Sequence, residues 1–177
     1  MPEQQDVSVP YTPLHLGRQE VAEQQHTEDE ENLHAIDFGL ALHYALELCD
    51  LHCIASADQA MSSVKNRFGE RLEHKDFDAI QKRIVALLND TAFQELIEGT
   101  CHKEQPISYD NELRYIDLLV ERHDDAVVID YKSSRRFEEK HRAQVEFYKK
   151  AIETILQKKV CAYVVYLLED GVEVIPV

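Results

Sequence analysis

AVVIDYKSS, residues 126–134, closes an apolar run with an acid and a lysine one residue apart. Val127, Val128 and Ile129 are β-branched and predict a strand, and EQPISYD (104–110) and ELRYIDLLVER (112–122) share that character. Asp-Asn and Asp-Asp pairs separate the three segments, so they read as an antiparallel meander joined by tight turns. A helix from about Phe137 to Lys158 follows, and CAYVVYLLED (161–170) and VEVIPV (172–177) supply two more strands.

Upstream the apolar period changes from two to that of a helix. In residues 32–51, Leu33, Ile36, Leu40, Ala41, Tyr44, Leu48 and Leu51 recur at helical spacing and predict one long amphipathic helix. Gly39 lies inside it; a mid-helix glycine costs about 1 kcal/mol against alanine, which points to a close packing contact or to a break. Residues 57–99 continue in three helical pieces, with Asp76 as a cap for the second and Thr91 at the start of the third. The order helices, three strands, helix, two strands predicts an α/β domain with a mixed central β-sheet flanked by helices and a helical N-terminal part. The folded domain is expected over 32–177, and residues 1–31, with prolines, many Gln and Glu and the run EDEE, as a poorly ordered or peripheral segment.

The net charge of -15 argues against a nonspecific nucleic-acid coat, because such binding rests on cations that neutralise phosphates. The average hides a gradient. Residues 1–58 hold twelve acids against Arg18 alone, which makes this third either a partner-docking surface or a solvated tail. Residues 131–150 reverse the sign, with Lys132, Arg135, Arg136, Lys140, Arg142, Lys149 and Lys150 against Glu138, Glu139 and Glu146. That patch can hold a phosphate backbone or form a solvated helix face. No apolar run approaches the roughly 20 residues that span a bilayer, and the N-terminus lacks the basic flank and apolar stretch of a secretory signal, so a cytoplasmic protein without membrane contact is expected. The scattered Cys49, Cys53, Cys101 and Cys161 then read as buried thiols in preference to metal ligands.

The acids of the meander carry the chemistry. Asp117 is flanked by Ile116, Leu118, Leu119 and Val120, and Asp130 follows Val127, Val128 and Ile129. Strand alternation sends Asp130 and Lys132 to one face, and a short hairpin places Asp117 on the neighbouring strand. Buried carboxylates that repel each other persist only if cations neutralise them. Lys132 supplies one positive charge against two negative ones, a deficit that a hard divalent ion such as Mg2+ fills through oxygen ligands. A half-built oxygen cage of this kind suits phosphodiester hydrolysis, with Lys132 orienting the nucleophile or balancing transition-state charge.

Asp117 followed by IDYK at 129–132 resembles the PD-(D/E)xK nuclease superfamily. HRAQVEFYKKAI (141–152) is similar to the Q-x-x-x-Y motif of its RecB-type branch through Gln144 and Tyr148, and FGLALHYALE (38–47) resembles that branch's G-x-x-x-H-x-x-L-E helix through Gly39, His43, Leu46 and Glu47. The motifs come in the family's order, and within the branch the likeness is to the C-terminal nuclease domain of AddA or RecB-like helicase–nuclease subunits.

The resemblance implies His43, Asp117, Asp130 and the carbonyl of Tyr131 as metal ligands for Mg2+ or Mn2+, with Lys132 as the catalytic lysine. Gln144 and Tyr148, four apart on one helix face, would brace the site or touch DNA; Arg135 and Arg136 would follow the phosphates, and Tyr131, Phe137 and Phe147 would offer stacking surfaces. Glu104 stands where many relatives carry an additional acid, or is a surface glutamate. Arg114 replaces a glycine that relatives often place three residues before the first aspartate. The cysteines that hold an iron–sulfur cluster in some relatives have no counterpart, so no cluster is expected, and without a G-x-x-x-x-G-K-[ST] loop no ATP site is expected in this chain. Helicase domains would lie on a longer chain, with single-stranded DNA as substrate and an AddB/RecC-like protein as partner. The two functions that follow are a metal-dependent deoxyribonuclease, acting mainly as an exonuclease, and a non-catalytic DNA-binding or assembly module that keeps the fold.

Overall fold

The computed structural model describes residues 30–177. The expectation for the acidic N-terminal segment therefore lies almost wholly outside the described residues. Helix α1 (Glu30–Leu48) is followed by α2 (Ser56–Phe68), α3 (His74–Leu88) and α4 (Thr91–Leu96). Strands β1 (Thr100–Tyr109), β2 (Glu112–Glu121) and β3 (Asp125–Lys132), helix α5 (Glu138–Leu156), and strands β4 (Lys159–Leu167) and β5 (Val172–Pro176) complete the chain.

The strands form one sheet in sequence order, β1-β2-β3-β4-β5. All pairings are antiparallel except β3 with β4, whose crossover through α5 makes the sheet mixed. The two-residue turn between β1 and β2 puts Asp110 and Asn111 at φ 52° and 61°, the left-handed pair that suits Asn and Asp and matches strand twist.

Alternation along β3 divides its side chains between two cores. Val127, Ile129 and Tyr131 pack against the layer of α1 to α4, while Ala126 and Val128 pack against α5 together with Val145, Tyr148 and Ile152. A strand buried on both faces explains the unbroken apolar run that precedes Asp130.

Helix α1 continues through Gly39, so that glycine is not a break. A Cβ there would meet Ser133 Oγ at 3.6 Å, ordinary contact just beyond the end of β3. Asp76 also has a different role from the cap expected. Glu73 is the N-cap of α3, and Asp76 closes a reciprocal capping box from the third helical position. Asp76 also takes a hydrogen bond from His34 at 3.0 Å, tying α3 to α1. Thr91 does open α4, behind Asp90 as cap. Among the four thiols, Cys49 is buried and Cys101 and Cys161 are half-buried, but Cys53 is exposed, contrary to the expectation for it. No helix among the described residues is long and apolar enough to cross a membrane.

Candidate active site

The site forms where β2 parts from β3. Their pairing runs from Glu121↔Ala126 to Leu118↔Ile129 and stops there. Asp117, the next residue on β2, accepts a hydrogen bond from the Tyr131 N–H at 2.8 Å through Oδ2, so its side chain takes over a donor that the ladder has released. Its other oxygen, Oδ1, lies 3.3 Å from His43 Nδ1. His43 reaches it from the fourth turn of α1, whose buried neighbours Leu42 and Leu46 fix the rotation of the helix.

Glu104 arrives by a backbone distortion. It has φ 48°, and the β1–β2 pairing skips it between Lys103↔Leu118 and Gln105↔Ile116. A left-handed non-glycine residue costs about 1–2 kcal/mol, a strain that persists where the surroundings impose it. The kink breaks alternation, so that Lys103 and Glu104 both line a small cavity of about 10 Å³ with His43, Leu46, Glu47, Asp117 and Tyr131. Ligand atoms of His43, Glu104 and Asp117 lie within 4.8 Å of one another.

Asp130 and Lys132 form the other half of the site. Lys132 Nζ is 2.7 Å from Asp130 Oδ2, as two residues on the same strand face allow. Asp130 is 1% exposed and is not part of the tight three-residue group, which takes Glu104 instead.

Burial acts upward on Asp117, but the charge and hydrogen bond of His43, together with Lys132, hold its carboxyl below the ordinary carboxylate range. Asp130 moves the other way: burial and the charge of Asp117 outweigh Lys132 and push it up to about 6. Burial would lower Lys132 and His43, yet the facing carboxylates raise both. Three carboxylates against the Lys132 ammonium leave two negative charges, which one divalent cation neutralises. One imidazole and carboxylate oxygens are donors that Mg2+ or Mn2+ accepts, so the residues present fit such an ion.

Asp130 makes a prediction for the metal-free protein. Its folded pKa of about 6 exceeds the ordinary 3.8, so its contribution to stability is complete below pH 4 and is lost as pH rises through 6. Two units correspond to ~3 kcal/mol. In EDTA, wild type should lose ~2–3 kcal/mol relative to Asp130→Asn between pH 4 and 7. Urea unfolding at each pH reads the difference, and parallel profiles for the two proteins would refute it.

Gln144 and Tyr148 meet on α5, where Gln144 Nε2 donates to Tyr148 Oη at 2.7 Å. Tyr148 is buried, and burial pushes its phenol up to about 12. The charges of Asp130, Asp117 and Lys132 all reach it, so the pair backs the site from beneath the sheet. Arg135 is engaged by Glu138 and Glu173 and lies over the Tyr166 ring at 5.5 Å. Arg136 is exposed in the same loop. Two of the three aromatics expected to stack on bases are not placed to do so: Tyr131 is 3% exposed, and Phe147 packs against Tyr109 under Arg114.

The sequence pattern of the PD-(D/E)XK nuclease superfamily matches residues 15–172. The chain belongs to that superfamily. It is similar to an ATP-dependent helicase/nuclease of Ruminiclostridium cellulolyticum, at 23% identity over 172 residues, and to one of Thermoanaerobacter sp. strain X514, at 24% over 177; in each the similar chain is the AddA-type component. In both cases the match covers 81% of this chain and 14% of the relative, so the chain spans about one seventh of the length of these curated relatives. A crystal structure of a candidate exonuclease from Eubacterium rectale shares the fold, with TM-score 0.54 and 14% identity over 91% of this chain and 64% of that one.

Two residues that the motifs do not name frame this PD-(D/E)XK site. Arg83, on α3, donates to the carbonyls of Ser133 at 3.1 Å and Leu167 at 2.9 Å, and its guanidinium lies 4.7 Å from the Phe38 ring centroid. It ties the ends of β3 and β4 to the helical layer. Lys103 donates to the carbonyls of Leu46, Glu47 and Cys49 and so satisfies the C-terminal end of α1, just beyond His43. A lysine in a strand and an arginine in a helix give no sequence signal for either role.

Proposed function

We propose that this chain is a divalent-metal-dependent deoxyribonuclease that hydrolyses phosphodiesters of single-stranded DNA from an end. The observation that carries the reading is the meeting of His43, Glu104 and Asp117 beside the Asp130–Lys132 pair. His43, Glu104, Asp117 and Asp130, with the carbonyl of Tyr131, would hold the ion. When bound, Mg2+ or Mn2+ supplies Lewis-acid polarisation of the phosphoryl group and offsets the charge that gathers on its oxygens.

The protein's own residues do the rest. Lys132 is kept cationic by the facing carboxylates and can donate to the attacking water or to a non-bridging oxygen of the scissile phosphate. Asp117 stays ionised and fixes both the His43 ring and the Tyr131 backbone. Gln144 and Tyr148 limit the movement of the Asp130–Lys132 pair. Arg135 and Arg136 sit where a phosphate backbone would leave the site.

The likeness to helicase/nuclease chains, over a small share of their length, supports a setting in a longer chain with helicase domains and an AddB/RecC-like partner. The test uses linear and circular single-stranded DNA and linear duplex, each with Mg2+, Mn2+ or EDTA. Linear single strands should be degraded with either metal and spared in EDTA, while circles persist. Cut circles would overturn the end requirement, and no cleavage under any condition would leave a DNA-binding module.

A further inference from the structure

The loop after the catalytic strand holds one aromatic side chain in an unusual state. Phe137 has φ 68° and ψ 36°, a left-handed conformation in which the Cβ crowds the following carbonyl and which bulky residues rarely adopt. The residue is 55% exposed, so it combines backbone strain with an apolar ring left in water. The conformation is held from inside the fold: Lys140 N and His141 N donate to the Phe137 carbonyl at 2.9 and 3.1 Å, which fixes the ring at the first turn of α5.

The surroundings carry the opposite sign to the chain as a whole. Lys140 Nζ lies 5.1 Å from the Phe137 ring centroid. Phe137, Lys140 and Arg142 line an open groove of about 580 Å³, with Glu138 and Glu139 on its remaining side. The loop also folds back toward the catalytic lysine. Tyr166 is the β4 partner of Lys132, and both Arg135 and His141 lie against the Tyr166 ring, at 5.5 and 5.8 Å between centres. Burial and the charge of Lys132 push His141 down to about 4, so the side of α5 that carries it stands beside the site.

We propose that Phe137 is a stacking platform for one nucleobase of a single strand that runs from Lys132 along this groove, with Lys140 and Arg142 taking the adjoining phosphates. The proposal deepens the nuclease reading and rests on it for the identity of the strand. A duplex keeps its base faces stacked inside and has none to offer, so an exposed ring favours single strands without reading their sequence. Glu138 and Glu139 repel phosphates and confine the backbone to the basic side.

The chain contains no tryptophan, so Phe137→Trp places a single indole at the platform in the full-length protein. In EDTA, where no cleavage occurs, oligothymidylate should quench this fluorescence, whereas an abasic deoxyribose-phosphate oligomer of equal length and a blunt duplex should not. Equal quenching by the abasic oligomer, or none by oligothymidylate, overturns the proposal. Phe137→Gly relaxes the left-handed backbone, so it should melt no lower than wild type yet bind oligothymidylate at least about tenfold more weakly. Unchanged affinity in that variant overturns the proposal too. Both measurements are made without turnover, so a protein that stacks bases but never cleaves would sink the nuclease reading and leave this one standing.

Discussion

Asp117→Ala is expected to lower metal-dependent cleavage by about a thousandfold, ~4 kcal/mol of transition-state stabilisation, with the fold retained. The carboxylate lies between His43 Nδ1 and the Tyr131 N–H and belongs to the tight group with Glu104. Its loss removes one of three converging donors and frees the imidazole to turn. The structural cost is small by comparison, because one hydrogen bond contributes about 1 kcal/mol and removing Asp117 also relieves its repulsion of Asp130. The measurement has three parts: single-turnover cleavage of an end-labelled strand, Mn2+ binding by calorimetry, and thermal melting. Cleavage and metal affinity should fall together while the melting temperature moves by only a few degrees. Wild-type cleavage by the variant would show that the ion, if any, is held elsewhere.

Lys132→Ala should cost at least about a hundredfold in rate but leave Mn2+ affinity within a few-fold of wild type. The two substitutions are thereby separable: Asp117 holds the ion, whereas Lys132 works on the reacting groups. Lys132 has no lone pair free to bind a cation, since its pKa is raised by the carboxylates around it. Its removal strips Asp130 of its counter-ion, and the nearly inaccessible acid then keeps its proton to higher pH. The pH at which metal binding is half-maximal should rise accordingly. Lys132→Arg should not restore the rate, because a planar guanidinium does not fit a site where the lysine side chain is only 19% exposed. Loss of Mn2+ binding in Lys132→Ala, in parallel with the rate, would contradict this division of roles.

Much of the fold was legible because its signals are local. The apolar run before Asp130, the Asp110–Asn111 turn and the period change at Gly99 each follow from a few neighbouring residues, and the strands form where those patterns predict. The Asp130–Lys132 contact follows from strand alternation alone. The features that were not legible depend on a broken rule or on distance along the chain. Glu104 joins His43 and Asp117 only because its backbone turns left-handed inside a strand, which no β propensity predicts for glutamate. Arg83 acts on carbonyls 50 and 84 residues away. Asp130 stands apart from the tight donor group because it shares a strand face with Lys132, and Tyr131, one residue along, is turned into the opposite core.

The Arg83 clamp bears on how such a domain can be divided or transplanted. Sheet and α5 alone carry both aspartates and the lysine, yet cutting the chain before β1 would discard His43, the Lys103 acceptors and the guanidinium that bridges the tips of the two parallel strands. The smallest portable catalytic unit is therefore no β-rich fragment. It is a whole in which the helical layer serves as the jig that sets the chemistry, and a fusion or circular permutation has to keep α1 and α3 on the same side of the cut as β3.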